Sequence, residues 1–329
     1  MEKIVVDNES IKCIVKNKYE QNNKVIDVSD LDTSKCTNID NLFSDMFKLE
    51  EIRGFNSLNL SNVKYMSWMC SGCHSLKSLD LSGLDLHNVI DMSYMCSGCH
   101  SLKTLNLTNT NLSNVADMSW LCNHCHLLKE LNLSRLNLHN VVNMSHMCSS
   151  CRSLKTLNLT NTNLSNVADM SYMCSNCRSL KTLNLLRLNL LHNVKNMSWL
   201  CNHCHSLKEL NLSRLDLHNV KNMSWMCNCC YSLKSLDLTG LNLSNVINMV
   251  YMCNHCHSLK SLNLSRLNLH NVNDISYMCE GCNSLIDFKV DEQYKHKFKD
   301  MIADVRARRI NLLMIRLDKL KILQHEEEI

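Results

Sequence analysis

Apolar residues follow two alternating rhythms along this chain, and the alternation itself repeats. In one unit the first rhythm is Leu-x-x-Leu-x-Leu, with Leu76, Leu79 and Leu81 followed by apolar positions at 84 and 86. Alternation about Leu79 and Leu81 predicts a short strand that turns both inward and leaves Ser78 and Asp80 outward. The second rhythm is Val89, Met92, Met95, Cys96 and Cys99. Its spacing predicts about two turns of helix with one buried face. Asp91 is placed to cap that helix, and Gly98 to end it in a left-handed conformation.

A Cys-x-x-Cys pair closes each unit, at 70/73, 96/99, 122/125, 148/151, 174/177, 201/204, 227/230, 253/256 and 279/282. The step is 26 residues throughout, except for 27 between 174 and 201. A fixed period of this size marks a stacked, quasi-one-dimensional array. The leucine positions match the leucine-rich-repeat pattern. The expected fold is therefore α/β, a leucine-rich-repeat solenoid of about ten coils. Each coil holds a short parallel strand and a short helix, and both ends are capped.

Residues 1–30 are expected to form an N-terminal cap, with β-prone runs at 4–6 and 11–15. The solenoid spans 31–290, and 291–329 form a C-terminal helical cap or tail. Residues 294–325 favour helix, with apolar residues at 298, 302, 305, 310, 313, 317 and 320 and a basic face of Lys295, Lys297, Lys299, Arg306, Arg308, Arg309 and Arg316. That face serves either as a solvated surface or as an amphipathic segment for a partner or an anionic surface.

The degenerate unit at 31–52, laid without gaps on 84–105, puts Phe43 on Cys96 and Met46 on Cys99. A slot that accepts Phe or Met is an apolar slot, so the cysteine pairs are expected to pack in the core. Composition agrees: 45% of residues are apolar but only 5% aromatic, and proline is absent. The net charge of +4 implies no nucleic-acid partner by itself. Of 21 cysteines, 18 lie in the pairs, and Cys13, Cys36 and Cys229 make the total odd. A fully paired disulfide framework is not expected. The start of the chain lacks a long apolar segment, and no run approaches the ~18 apolar residues of a membrane span. Those two features favour an intracellular over a surface location, and the compartment is otherwise unassigned.

The unit Asn-Val-Ile-Asp-Met-Ser-Tyr-Met-Cys-Ser-Gly-Cys-His-Ser-Leu-Lys-Thr-Leu-Asn-Leu at 88–107 resembles the BspA-type leucine-rich repeat of bacterial, protozoan and large-virus surface-type proteins. The resemblance covers about 31–290. It implies a solenoid used for adhesion or protein binding, not catalysis. The family's first cysteine slot is usually Phe, as at Phe43.

Three residue ladders carry candidate chemistry. The cysteine pairs could supply zinc with thiolates from neighbouring coils, which makes a cysteine-rich zinc-binding repeat protein the alternative function. Five pairs are followed by His, the c-type haem pattern, but a haem does not fit between strands about 4.8 Å apart. No cofactor or metal site is assigned.

An aromatic ladder runs through Trp68, Tyr94, Trp120, His146, Tyr172, Trp199, Trp225, Tyr251 and Tyr277. It forms either a ring stack shielding the coil or an exposed strip for a protein or glycan partner. A lysine ladder follows the first leucine at Lys77, Lys103, Lys129, Lys155, Lys181, Lys208, Lys234 and Lys260. It forms either a solvated edge or a docking stripe for an acidic partner. The Asn-Val asparagines, Asn62 to Asn271, are expected to satisfy turn backbone.

Nothing combines distinct catalytic roles at one place, so no enzyme is expected. Residues 101–119 and 153–171 are identical, which points to block duplication and a uniform surface. The function expected is a non-enzymatic scaffold for an unidentified protein partner.

Overall fold

A computed structural model describes residues 3–185, 191–212 and 215–327, with side chains as far as 320. The chain opens with β1 (Ile4–Val5), α1 (Asn8–Gln21), β2 (Val25–Asp27), β3 (Leu31–Asp32) and β4 (Glu51–Arg53). One three-residue strand per repeat follows: β5 (Ser78–Asp80), β6 (Thr104–Asn106), β7 (Glu130–Asn132), β8 (Thr156–Asn158), β9 (Thr182–Asn184), β10 (Glu209–Asn211), β11 (Ser235–Asp237), β12 (Ser261–Asn263) and β13 (Asp287–Lys289). α2 (Lys299–Glu327) ends the chain.

Every pairing is parallel and in register with the repeat. Leu79 faces Leu105, Leu131 faces Leu157, and Leu183, Leu210, Leu236, Leu262 and Phe288 form one row. The central leucine of each strand is buried and its flanking residues point outward, as the alternation predicts. A second ladder of single bridges links Asn38, Tyr65, Asp91, Asp117 and their equivalents to Asp274. The result is a leucine-rich-repeat solenoid with one continuous aliphatic, Met and Cys core.

The expected short helix in each coil is replaced by a chain of turns. Met66, Trp68, Cys70 and Gly72 donate their N–H groups to Asp91, Ser93, Met95 and Ser97 of the next coil. Between them, Ser71 and Cys73 close local bonds to Trp68 and Cys70, three residues back. Two left-handed residues in each of these turn segments, such as Trp68 (φ 57°) and Gly72 (φ 73°), exclude an α-helix. The segment is too short to hold a helix alone and contains few helix formers. The apolar spacing survives because successive turns also return Met69, Cys70 and Cys73 to the core, where all three are fully buried. Asp91 forms an Asx turn, its Oδ1 accepting from Ser93 N–H at 2.8 Å.

The N-terminal region also differs from expectation. Residues 11–15 lie in α1, started by a capping box between Asp7 and Ser10. Ile11 and Val15, one turn apart, are its buried face. At the other end α2 starts at Lys299, and only its first turns pack: Phe298 and Val305 are buried, while Ile310, Leu313, Leu317 and Leu320 are exposed. The basic residues there do specific work. Lys297 Nζ donates to the carbonyls of Leu269, His270 and Val272 at 2.8–3.0 Å. Arg308 donates to the Cys282 carbonyl at 3.1 Å.

Candidate interaction surfaces

Both cysteine columns lie in the core. The second cysteine of each pair points its Sγ back at the coil before: Cys99 to the Cys70 carbonyl, Cys125 to Cys96, Cys151 to Cys122 and Cys177 to Cys148, at 3.0–3.2 Å. The same carbonyls accept the N–H three residues on, so each thiol fills a remaining lone pair. In the degenerate coil Phe43 and Met46 occupy the two slots, and Phe43 is fully buried. Its carbonyl takes the thiol of Cys73. Burial pushes the Cys70 and Cys125 thiols well above their usual range. That disfavours the thiolate needed by a metal or a nucleophile. Among the described residues no group of three or more His, Cys, Asp or Glu is arranged to hold a metal ion.

The aromatic ladder is a continuous ring stack. Centroids from Trp68 through Tyr94, Trp120, His146, Tyr172, Trp199, Trp225 and Tyr251 to Tyr277 are 3.8–5.2 Å apart, with planes within 5–18° of parallel. All nine residues are left-handed, with φ of 54–60°. For a non-glycine residue this costs about 1–2 kcal/mol, set here against ring contact and the cross-coil hydrogen bonds. Each inner ring has both faces covered and shows only its edge. The end rings differ: Trp68 is 41% and Tyr277 56% exposed.

A further ring column, on the residue after each second cysteine, escaped the sequence reading. His74, His100 and His126 stack at 4.5 and 4.9 Å, with Phe47 tilted by 33° against His74 at 5.0 Å, and His205, Tyr231 and His257 stack at 4.5 and 5.1 Å. Arg152 and Arg178 occupy the intervening copies. These histidines looked like a haem motif because they follow Cys-x-x-Cys. The signal that could have identified them was their replacement by Phe47 and Tyr231, other planar rings. Between the two columns runs a groove of about 460 Å³ with Trp120, His146 and Tyr172 on one wall and His124, Arg178 and His203 on the other. Burial pulls His124 and His203 below the usual imidazole range and His146 down to about 4.

The lysine ladder lies where each coil enters its strand. Lys103 N–H donates to the Lys77 carbonyl at 2.9 Å, Lys155 to Lys129 at 2.8 Å and Lys208 to Lys181 at 3.0 Å, which holds the backbones in register. All eight lysines, Lys77, Lys103, Lys129, Lys155, Lys181, Lys208, Lys234 and Lys260, are exposed. Among the described residues only Lys77 of the eight forms an ion pair, with Glu50, which also meets Lys24. Glu130 and Glu209, the acidic neighbours in two copies, form none there. The asparagine column is internal bracing: Asn88 Nδ2 donates to the Ser61 carbonyl, Asn114 to His87 and Asn140 to Ser113, at 2.7–2.8 Å.

Among solved structures the chain is similar to a leucine-rich repeat protein from Bacteroides ovatus, at 16% identity over 82% of this chain and 83% of that one, with a TM-score of 0.39. It is similar to one from Eubacterium ventriosum at 15% identity over 75% and 82%, with a TM-score of 0.32. A third is internalin C2 of Listeria monocytogenes, at 19% identity over 70% and 93%, with a TM-score of 0.30. No curated protein matches the chain. Residues 13–130, 99–209 and 185–291 each match the family described as "Mycoplasma protein of unknown function, DUF285". Those overlapping segments cover most of the chain, which belongs to that family.

Proposed function

We propose that this chain is a non-enzymatic repeat scaffold whose lysine edge docks an acidic protein partner. One observation carries the reading: a column of exposed lysines, one per coil, of which only the first has a counter-charge among the described residues. Like charges on adjacent strands cost a few tenths to about 1 kcal/mol per contact. A row of carboxylates at matching spacing relieves that repulsion, and the rigid core presents the row without rearrangement.

The ring columns support the same choice by default. A glycan binds aromatic residues through their faces, and in the inner rings those faces are covered by neighbours. A BspA-type relationship, with its role in adhesion or protein binding, fits a long uniform edge of this kind. The test is binding of a fluorescent Glu-rich peptide to the full chain at low and at moderate salt. The triple variant Lys129→Glu/Lys155→Glu/Lys181→Glu is expected to lose binding by about tenfold or more, with folding retained. Trp120→Ala/Trp199→Ala/Trp225→Ala leaves it intact wherever that variant folds. Equal binding by wild type and the lysine variant, or no salt dependence, would sink the proposal.

A further inference from the structure

We infer that the last coil carries a second binding site, which accepts an extended peptide bearing one aromatic side chain as an additional rung of the solenoid. In the coil before it, Tyr251, Cys253 and His255 donate their N–H groups to Ser276, Met278 and Glu280 at 3.0, 2.8 and 2.7 Å. The equivalent donors of the last coil are the N–H groups of Tyr277, Cys279 and Gly281. Among the described residues none of the three has an acceptor. The ring column ends at the same place. Tyr277 stacks on Tyr251 at 4.8 Å through one face, and among the described residues no ring stacks on its other face.

Donors and ring open into one cavity of about 440 Å³, walled on its far side by Phe298, Met301 and Asp304 of the C-terminal segment. That volume lies in the usual range for a ligand pocket. The preceding coils state what fits. The occupant's first carbonyl meets Tyr277 N–H, and the next residue is the aromatic one, stacking on the Tyr277 ring. The second and fourth residues after the first carbonyl then present theirs to Cys279 and Gly281. A glycine five places after that first carbonyl relieves the left-handed position there, as Gly98 does within the chain. Asp300 on the same wall forms no ion pair among the described residues, so a basic flanking residue adds attraction. This is strand addition to a ladder edge, with main-chain bonds for affinity and one ring for specificity. It is independent of the lysine edge.

The probe is a fluorescent peptide copying residues 91–98 with Cys96→Ala and an added N-terminal lysine, titrated against the full chain. Saturable binding is expected, with slower hydrogen exchange at the amides of Tyr277, Cys279 and Gly281. Replacing the peptide's tyrosine by alanine weakens it by about tenfold, as does Tyr277→Ala in the protein. The peptide substitution decides the matter even where the protein variant folds poorly. No binding at millimolar peptide, or equal binding by the alanine peptide, overturns the inference. So does protection of those amides by rising protein concentration alone, which would make the occupant a second copy of the chain.

Discussion

Cysteine and lysine recur in this solenoid with the same period, and their surroundings are opposite. Cys125, Cys151 and Cys177 are fully buried, each thiol bonded to a carbonyl of the coil before. Lys129, Lys155 and Lys181, a few residues further along the same coils, are exposed and without ion partners among the described residues. A buried column is explained by the stack itself, since every coil needs the same contact with its neighbour. An exposed like-charge column opposes the stack, so coil-to-coil packing does not explain it. Regularity alone therefore says nothing about function, and the side of the coil on which a residue falls decides.

The contrast breaks first under a charge placed in each column. Cys148→Asp buries a carboxyl among Met173, Cys174 and their neighbours, and its cost is expected at about 3–5 kcal/mol. In a one-dimensional array the damage spreads to the adjoining coils, so proteolysis should cut on both sides of residue 148. Lys155→Asp, on the same coil, is expected to change stability by no more than about 0.5 kcal/mol. Urea midpoints for the two variants measure the comparison. Equal midpoints would mean that the cysteine slots are not the core contacts described above.

Acid probes the ring columns, which lie between those extremes. Burial, ahead of any charge effect, holds His100, His124, His203 and His205 below their usual range and His146 at about 4. Above pH 6.5 these side chains are neutral in both the folded and the unfolded chain, and the full stability is present. As pH falls from 6.5 the unfolded chain binds protons that the folded one refuses, and stability drops until the folded imidazoles themselves titrate, which for His146 is at about 4. For His146 alone the loss is about 1 kcal/mol per pH unit in that window. The carboxylates of Asp27 and Asp274, held low by bonds from Ser29 and Ser276, add their losses only below the usual carboxylate range. His146→Tyr, the residue found at Tyr94 and Tyr172, should flatten the thermal midpoint between pH 7 and pH 5. An unchanged slope would mean that His146 is not held neutral by the column.

These outcomes also bear on what the chain discloses about itself before folding. The period, the strand positions and the burial of the cysteines were legible, because leucine alternation and the Phe43/Met46 substitution each report burial directly. The helix was not. Buried positions three and four apart arise from turns as well as from helices, and only the poor helix formers around Ser93, Tyr94 and Cys96 argued otherwise. Residues 11–15 misled for the opposite reason: β-prone side chains there lie in a helix started by Asp7 and Ser10. The lysine column was visible, but whether Glu130 or Glu209 reached it depended on side-chain geometry. The unpaired donors of the last coil could not be seen, because they belong to backbone and to the absence of a next coil.

A further pair of small changes isolates the backbone from the side-chain columns altogether. Ser150 occupies the second left-handed position of its turn segment, after His146, with φ of 61°, where other copies have Gly72, Gly98 and Gly281. Glycine removes the left-handed penalty of about 1–2 kcal/mol and returns about 0.5–1 kcal/mol through the greater freedom of the unfolded chain. Ser150→Gly should therefore raise stability by about 0.5–1 kcal/mol, although the 3.4 Å contact from Asn176 to the Ser150 hydroxyl is lost. The reverse change is cleanest at Gly98. A methyl group there would come no nearer than 3.6 Å to Gly72, so Gly98→Ala tests conformation without a clash. Gly72→Ala would instead drive its methyl group into the Asp45 carboxylate. Gly98→Ala is expected to lower the urea midpoint and Ser150→Gly to raise it. If both lower it, the left-handed positions are set by side-chain packing, and the turn backbone does not carry the coil-to-coil ladder on its own.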